Sequence, residues 1–142
     1  MLYFDTSALL PYYREEQASG RVQALLLAQS QPVLISHLTE VEVASVLARW
    51  VRMGDLDDAG ANRIESAFGD DVRQGRFVRC QVEPAHYQRA VHWIGTRKTS
   101  LRTLDALHLA CAEHHQACLI TEDDALLHAA VFFGLDARKV TD

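Results

Sequence analysis

The sequence has few cysteines and no long apolar run, and each absence excludes a class of protein. Its three cysteines follow no Cys-x-x-Cys spacing, which is typical of reduced, buried thiols and not of a disulfide framework or a zinc site. The longest apolar run, residues 24–28, is far too short to cross a membrane. The first residues also lack the basic start and apolar core of a signal peptide. We therefore expect a cytoplasmic protein with no membrane association.

The charge balance excludes a general attraction to nucleic acid. The 142 residues carry a formal net charge of −5 at pH 7, and DNA and RNA are themselves polyanions. Lysine is scarce, so the positive charge is mostly arginine, whose planar guanidinium group suits phosphate well. Any nucleic acid would therefore be bound through local arginines or through a bound cation.

Short apolar segments alternate with amphipathic helical segments along the chain. This alternation is typical of a parallel sheet that is covered by helices on both faces. With no repeat or linker, the sequence predicts a single α/β domain over residues 1–142. The predicted strands are 2–4, 32–36, 77–82, 117–121 and an edge strand at 137–140. The predicted helices are 8–29 in two pieces, 37–53, 57–74, 84–95, 103–116 and 123–133.

Four acidic residues fall at the ends of predicted strands or early in predicted helices, namely Asp5, Glu42, Asp105 and Asp123. In an open parallel sheet such positions meet at the carboxyl edge, where ligands bind. If they converged, each pair of carboxylates would repel by about 3 kcal/mol, so the cluster would take up protons or hold a cation. Ligation by oxygen alone favours Mg²⁺ or Mn²⁺, and such an ion suits phosphoryl chemistry.

Helical geometry distinguishes Glu42 from its neighbour Glu40. At about 100° per residue, Glu42 shares a polar face with Thr39 and Arg49. Glu40 points roughly 160° away, among apolar residues. Glu42 is therefore the glutamate that we expect to line a cleft.

Each acid also has an ordinary structural explanation. Asp5 is suited to capping a helix or a turn. Thr39 and Glu42 match the spacing of a capping box. Asp105 and Asp123 lie in predicted first turns, where a negative charge complements the helix dipole. The spacing alone therefore leaves a structural and a catalytic interpretation open.

Four segments, in this order and at these distances, resemble the PIN-domain ribonucleases, particularly the VapC-like toxins of prokaryotic toxin–antitoxin pairs. They are YFDTSALL (3–10), SHLTEVEVASVLAR (36–49), LRTLDALHLA (101–110) and LITEDDAL (119–126). The similarity runs from residue 3 to about residue 139. It implies a three-layer α/β/α sandwich with a central, mainly parallel sheet.

The resemblance also implies the site residues. The catalytic and metal-binding residues would be Asp5, Glu42, Asp105 and Asp123. Within the family pattern, the spacing from Ser36 selects Glu42 over Glu40, and the T-x-D spacing selects Asp123 over Asp124. The expected supporting residues are Thr6, Ser7, Arg102, Thr121 and Asp124. Thr6 and Ser7 are equally suited to capping.

The activity implied by the resemblance is a metal-dependent endoribonuclease. It would use Mg²⁺, or Mn²⁺, to hydrolyse transfer or ribosomal RNA and leave 3′-hydroxyl and 5′-phosphate ends. The implied partners are RNA, a small cognate antitoxin and a second copy of the chain, in the cytoplasm of a prokaryote.

Two other functions are open to this sequence. A PIN-like domain could bind RNA or a partner protein without cleaving it. A phosphatase of the haloacid-dehalogenase type would also have an aspartate after its first strand. It needs a second acid two residues later, where this chain has Ser7, and a suitably placed lysine, whereas the chain has only Lys98 and Lys139. The phosphatase is therefore disfavoured.

Overall fold

Short runs of apolar residues form the strands of one sheet. In the computed structural model, which describes residues 1–140, five parallel strands lie in the order β3-β2-β1-β4-β5. They are β1 (Leu2–Phe4), β2 (Val33–Ser36), β3 (Phe77–Cys80), β4 (Cys118–Ile120) and β5 (Ala137–Arg138). This confirms the predicted parallel sheet, although β3 and β5 each end two residues earlier than expected.

Seven α-helices connect and flank these strands in residues 1–140. Their bounds are α1 (Thr6–Leu9), α2 (Ser19–Leu27), α3 (His37–Arg52), α4 (Asp58–Arg73), α5 (Pro84–Gly95), α6 (Thr103–His114) and α7 (Asp124–Phe132). From α3 onward, every helix ends within two residues of its predicted bounds. The three-layer α/β/α prediction is therefore confirmed.

The predicted helical segment 8–29, which we expected Pro11 and the Ser19-Gly20 pair to break, differs from the structure at its start and at the second of these breaks. Helix α1 begins at Thr6, not at Ala8, because the Asp5 side chain caps it. The Ser19-Gly20 pair begins α2 and does not interrupt a helix. The Ser19 hydroxyl accepts a hydrogen bond from the Glu16 N–H at 2.8 Å, so Ser19 satisfies backbone groups of the preceding loop.

The strands alternate their side chains between two buried layers. Tyr3, Leu34 and Leu119 point to the layer formed with α5, α6 and α7. Phe4 and Ile35 point to the layer formed with α1 to α4. Because both faces are covered, the inner strands β1, β2 and β4 are almost entirely buried, as expected for a parallel sheet, whereas the edge strands β3 and β5 carry the exposed Arg79 and Arg138. In residues 1–140, no helix is both long and apolar enough to cross a membrane.

The strand order reverses at β1, and this places two chain segments side by side. Strands β2 and β3 lie on one side of β1, whereas β4 and β5 lie on the other side. Phe4 pairs with Ile120, and the Asp5 N–H donates to the Ile120 carbonyl at 3.2 Å. The residues after β1 and β4 therefore share the switch point at which open α/β sheets bind ligands.

Candidate active site

All four predicted acids line one pocket of about 350 Å³ at the carboxyl edge of the sheet. Asp5 follows β1, Glu42 lies in the second turn of α3, Asp105 lies in the first turn of α6, and Asp123 directly precedes α7. The fold therefore gathers residues from four distant segments. The other polar side chains of the lining belong to Thr6, Ser7, Arg49, Trp50, Arg102 and His108.

Asp5 is the most buried of these acids, with 3% of its surface exposed. Its Oδ1 atom accepts hydrogen bonds from the Ser7 hydroxyl at 2.8 Å and the Ala8 N–H at 3.0 Å. Its Oδ2 atom accepts from the Thr121 hydroxyl at 2.7 Å. Burial raises the pKa of Asp5 to about 6, against the opposing hydrogen bonds from Thr121 and Ser7. The capping role is confirmed, and Asp5 combines it with a place in the pocket.

Two hydroxyl groups join the turns that follow β1 and β4. The Thr121 hydroxyl donates to Asp5 and accepts from the Asp123 N–H at 3.0 Å. The Ser7 hydroxyl donates to Asp5 and accepts from the Glu122 N–H at 3.0 Å. Thr121 and Ser7 therefore fix the acids of both turns relative to each other, and neither hydroxyl is left without a partner.

Glu42 accepts both of its hydrogen bonds on one oxygen. The Thr6 hydroxyl donates to Oε1 at 2.8 Å, and His108 Nε2 donates to the same atom. Burial alone would raise the pKa of Glu42, but the hydrogen bonds from His108 and Thr6 help to outweigh it, and the pKa lies below its usual value. Glu42 is therefore an ionised carboxylate whose orientation is set by α1 and α6.

The capping-box interpretation of Glu42 is wrong. The box at the start of α3 is formed one turn earlier by Ser36 and Thr39. The Leu38 N–H donates to the Ser36 hydroxyl at 3.1 Å, and the Ser36 N–H donates to the Thr39 hydroxyl at 3.2 Å. Since the orphan N–H groups already have these partners, the Glu42 side chain is free to point into the pocket.

Arg102 lies between the remaining two acids. Its Nε is 3.7 Å from an Asp105 oxygen, and a terminal nitrogen is 3.5 Å from an oxygen of Asp123. Burial and the neighbouring charge of Asp123 raise the pKa of Asp105, although Arg102 partly opposes them. Three-quarters of the Arg102 side chain is exposed, so it closes the pocket from the solvent side.

The structure distinguishes Asp123 from Asp124. Asp123 caps α7 by accepting from the Leu126 N–H at 2.9 Å, and its second oxygen faces Arg102 in the pocket. The side chain of Asp124 is 85% exposed and forms an ion pair with Lys139. Asp123 therefore lines the pocket, whereas Asp124 faces solvent.

The donor chemistry of the pocket fits a hard divalent cation. Its acidic groups are all carboxylates, and two of them already hold the guanidinium of Arg102 between them. In residues 1–140, no group of three or more His, Cys, Asp or Glu side chains is arranged to hold a metal ion. The acids would therefore have to move closer together, with Arg102 displaced, to share an ion.

Tyr3 and His108 extend the site into the core. Sequence analysis did not assign Tyr3 to the site, whereas helical spacing places His108 one turn after Asp105 on the same face and leaves a supporting role for it open. The His108 ring is 1% exposed, and Nδ1 lies 2.6 Å from the hydroxyl of the fully buried Tyr3. The signal in the sequence was a tyrosine in an otherwise apolar strand, because a buried hydroxyl requires a partner. The partner is 105 residues away, so no local pattern reveals it.

The sequence matches a protein-family model, and the fold is similar to those of solved structures. A family model described as the PIN domain matches residues 2–131. No curated protein is significantly similar in sequence. The fold is similar to that of FitAcB from Neisseria gonorrhoeae, with a TM-score of 0.73 and 19% identity over 99% of both chains.

Two further solved structures also share the fold. One is VapC20 of Mycobacterium tuberculosis, described as a toxin that cleaves the sarcin–ricin loop. It has a TM-score of 0.68 and 14% identity over 91% of this chain and 95% of that one. The other is VapBC2 of Rickettsia felis bound to promoter DNA, with a TM-score of 0.70 and 15% identity over 98% of both chains.

Proposed function

The chain belongs to the PIN domain family, and on that premise we propose that it is an endoribonuclease whose four pocket acids bind Mg²⁺ or Mn²⁺. The observation that carries the proposal is the convergence of these acids on one pocket. Their positions span 118 residues of sequence, yet they meet at the switch point of the sheet. Structural carboxylates have no common reason to gather there, because like charges repel.

The ion would be held by Asp5, Glu42, Asp105 and Asp123. When bound, it supplies Lewis-acid stabilisation of the charge that develops on the phosphoryl group, and it acidifies water. The hydroxyls of Thr6, Ser7 and Thr121 hold two of these carboxylates in place. Because these two carboxylates are already oriented, less free energy is needed to assemble the site around an ion.

His108 supports hydrolysis by water and not attack by the RNA 2′-hydroxyl. It is the histidine of the pocket lining, and its two ring nitrogens are engaged by Tyr3 and Glu42. It has no free nitrogen with which to deprotonate a ribose hydroxyl. In the proposed reaction, water attacks the phosphorus, the P–O3′ bond breaks, and O3′ takes a proton. The products are a 5′-phosphate and a 3′-hydroxyl.

The arginines at the pocket supply the positive charge that an acidic chain needs to bind RNA. Arg49 and Arg102 both line the pocket, and each offers a planar group for a phosphate oxygen pair. Arg102 would exchange its contacts with Asp105 and Asp123 for a phosphate of the substrate. Transfer or ribosomal RNA is the substrate class that we propose.

We propose that the protein is the toxin of a toxin–antitoxin pair and forms a homodimer. An exposed apolar stripe on α5 supports self-association, since Tyr87, Val91 and Ile94 lie on one face of the helix and are 52%, 71% and 37% exposed. A small antitoxin protein would cover the acidic pocket. Light scattering of the purified chain, with and without its partner, tests both assemblies.

Incubation of the purified protein with structured RNA tests the nuclease proposal. Cleavage should require Mn²⁺ or Mg²⁺, stop with EDTA and yield 5′-phosphate ends, and Asp5→Asn should abolish it without loss of fold. Single-stranded DNA of matching sequence is the control for substrate class. Binding of RNA without cleavage, under any of these metal conditions, would support the catalytically silent module instead.

A further inference from the structure

A buried hydrogen-bond chain runs from the core of the sheet to the acidic pocket. It begins at the hydroxyl of Tyr3 in β1, passes through the ring of His108 in α6 and ends on Oε1 of Glu42 in α3. Tyr3 is 0% and His108 is 1% exposed, so water does not compete for the bond between them, whereas Glu42 lies at the pocket with 23% of its side chain exposed. The chain joins three elements that are distant in sequence.

The direction of each bond follows from the acceptor at its end. An ionised carboxylate can only accept, so Nε2 of His108 must carry the hydrogen that Glu42 receives. In the neutral imidazole, Nδ1 is then the acceptor, and the Tyr3 hydroxyl donates to it. Tyr3 keeps its hydrogen because burial raises its pKa well above the usual value.

We infer that His108 is a positioning residue for Glu42, and that Tyr3 holds the His108 ring in the tautomer and rotation that this requires. This inference rests on the proposed function, since it concerns the carboxylate that would bind the metal. His108 and Thr6 both bond to Oε1, so Oε2 is the oxygen that Glu42 presents to a cation. Neither Tyr3 nor His108 would touch the substrate.

Two amide substitutions at position 108 separate the donor from the ring. The side-chain nitrogen of glutamine in His108→Gln reaches about as far as Nε2, so it can still donate to Glu42. The shorter side chain in His108→Asn reaches only the position of Nδ1, so it can accept from Tyr3 but cannot reach Glu42. Tyr3→Phe removes only the hydroxyl, so the His108 ring loses the hydrogen bond that fixes its tautomer and rotation.

The first measurement is Mn²⁺ binding, followed by the loss of the free-ion electron paramagnetic resonance signal. We expect His108→Asn to weaken binding about tenfold or more and His108→Gln to stay within about threefold of the unmodified protein. Tyr3→Phe should fall between them. Equal binding by the two amide variants would overturn the inference.

The second measurement does not depend on metal. Urea unfolding in EDTA is compared for each amide variant with and without Glu42→Gln, as a double-mutant cycle. The two changes should be coupled in the His108→Asn series, because each of them removes the same contact, and nearly additive in the His108→Gln series, in which the donor to Glu42 is kept. Additivity in both series would overturn the inference even if Mn²⁺ bound normally.

The two measurements distinguish failure of this inference from failure of the proposed function. If the unmodified protein binds no Mn²⁺ and the cycle still shows coupling only in the His108→Asn series, Glu42 is positioned as inferred, and the metal-dependent function is wrong. Thermal melting of each variant identifies any that has failed to fold, and Tyr3→Phe, which changes one buried hydroxyl, then supplies the comparison.

Discussion

Two cavities of this protein show why size does not identify an active site. The groove between α3 and α4 is the larger, at about 520 Å³ against about 350 Å³ for the acidic pocket. In the groove, two glutamates face two arginines, and Arg79 lies 3.2 Å from Glu40. In the pocket, four carboxylates face two arginines. Of these two cavities, the pocket is the one that holds an excess of buried and half-buried negative charge, which is costly to desolvate and is typical of a functional site.

The contrast is sharpest at two glutamates that are two residues apart on α3. Glu40 contacts Arg79 and His37 at the surface, where ion pairs contribute little to stability. Glu42 is held by Thr6 and by the buried His108. Neighbours in sequence therefore have different chemical roles because the helix turns them toward different cavities.

The largest expected effect separates these two glutamates. Glu42→Gln should lower the rate of RNA cleavage by on the order of 10³-fold, because it removes a charge that would hold the cation. Glu40→Gln is the matched control. Its cleavage rate should stay within about twofold of that of the unmodified protein, because the substitution removes only a surface charge pair. Initial rates at saturating Mn²⁺ measure both. Similar losses of cleavage rate in the two variants would contradict the assignment of catalysis to the acidic pocket and not to the groove.

The next effect separates Asp123 from Asp124. Asp123→Asn keeps the capping oxygen for α7, because asparagine is also a good N-cap residue, but it should lower cleavage by about 100-fold. Asp124→Asn removes only an exposed charge that pairs with Lys139, and cleavage should be unchanged. Thermal melts should be nearly equal for the two variants. A greater loss of activity in Asp124→Asn would show that Asp124, and not Asp123, is the fourth acid of the site.

The pH dependence of stability tests the burial of Asp5. Its pKa rises from 3.8 to about 6 on folding, so the folded state binds more protons than the unfolded state between these values. Ionised Asp5 therefore lowers the free energy of unfolding as pH rises through about 4 to 6, by roughly 2–3 kcal/mol at most.

Asp5→Asn carries no such charge, so in EDTA it should become more stable than the unmodified protein as pH rises, with a plateau above about pH 7. Urea unfolding from pH 4 to 8 measures the difference between the two proteins. A difference that does not change with pH would show that Asp5 has an ordinary pKa. Added Mn²⁺ should reverse the order by stabilising the unmodified protein alone.

The smallest effect belongs to the groove. Arg79→Ala removes the exposed partner of Glu40 and should change the free energy of unfolding by less than about 1 kcal/mol. RNA cleavage should stay at the unmodified rate. Thermal melting and the cleavage assay check the two expectations, and a large loss of activity would mean that the groove contributes to the reaction.

Much of the fold could be predicted because its signals are local. The apolar runs of β1, β2 and β4, the proline that begins α5 (Pro84) and the glycine that follows α7 (Gly134) set many of the element bounds. The prediction of a Thr39–Glu42 capping box was wrong because more than one stretch of the sequence has suitable residues at this spacing. Ser36 offers an equivalent pattern three residues earlier, directly before the predicted helix 37–53, and the structure shows that the box forms there.

The sequence by itself determined the parallel α/β class and the positions of the four acids along the chain, because strand and helix periodicities and spacings are properties of neighbouring residues. The tertiary structure decided which atoms of those acids are engaged. It placed Tyr3 beneath His108 and His108 beneath Glu42, and it placed Arg102 between Asp105 and Asp123. The physical reason is that hydrogen bonds and desolvation act over a few ångströms in space, between residues as far apart in the chain as Tyr3 and His108.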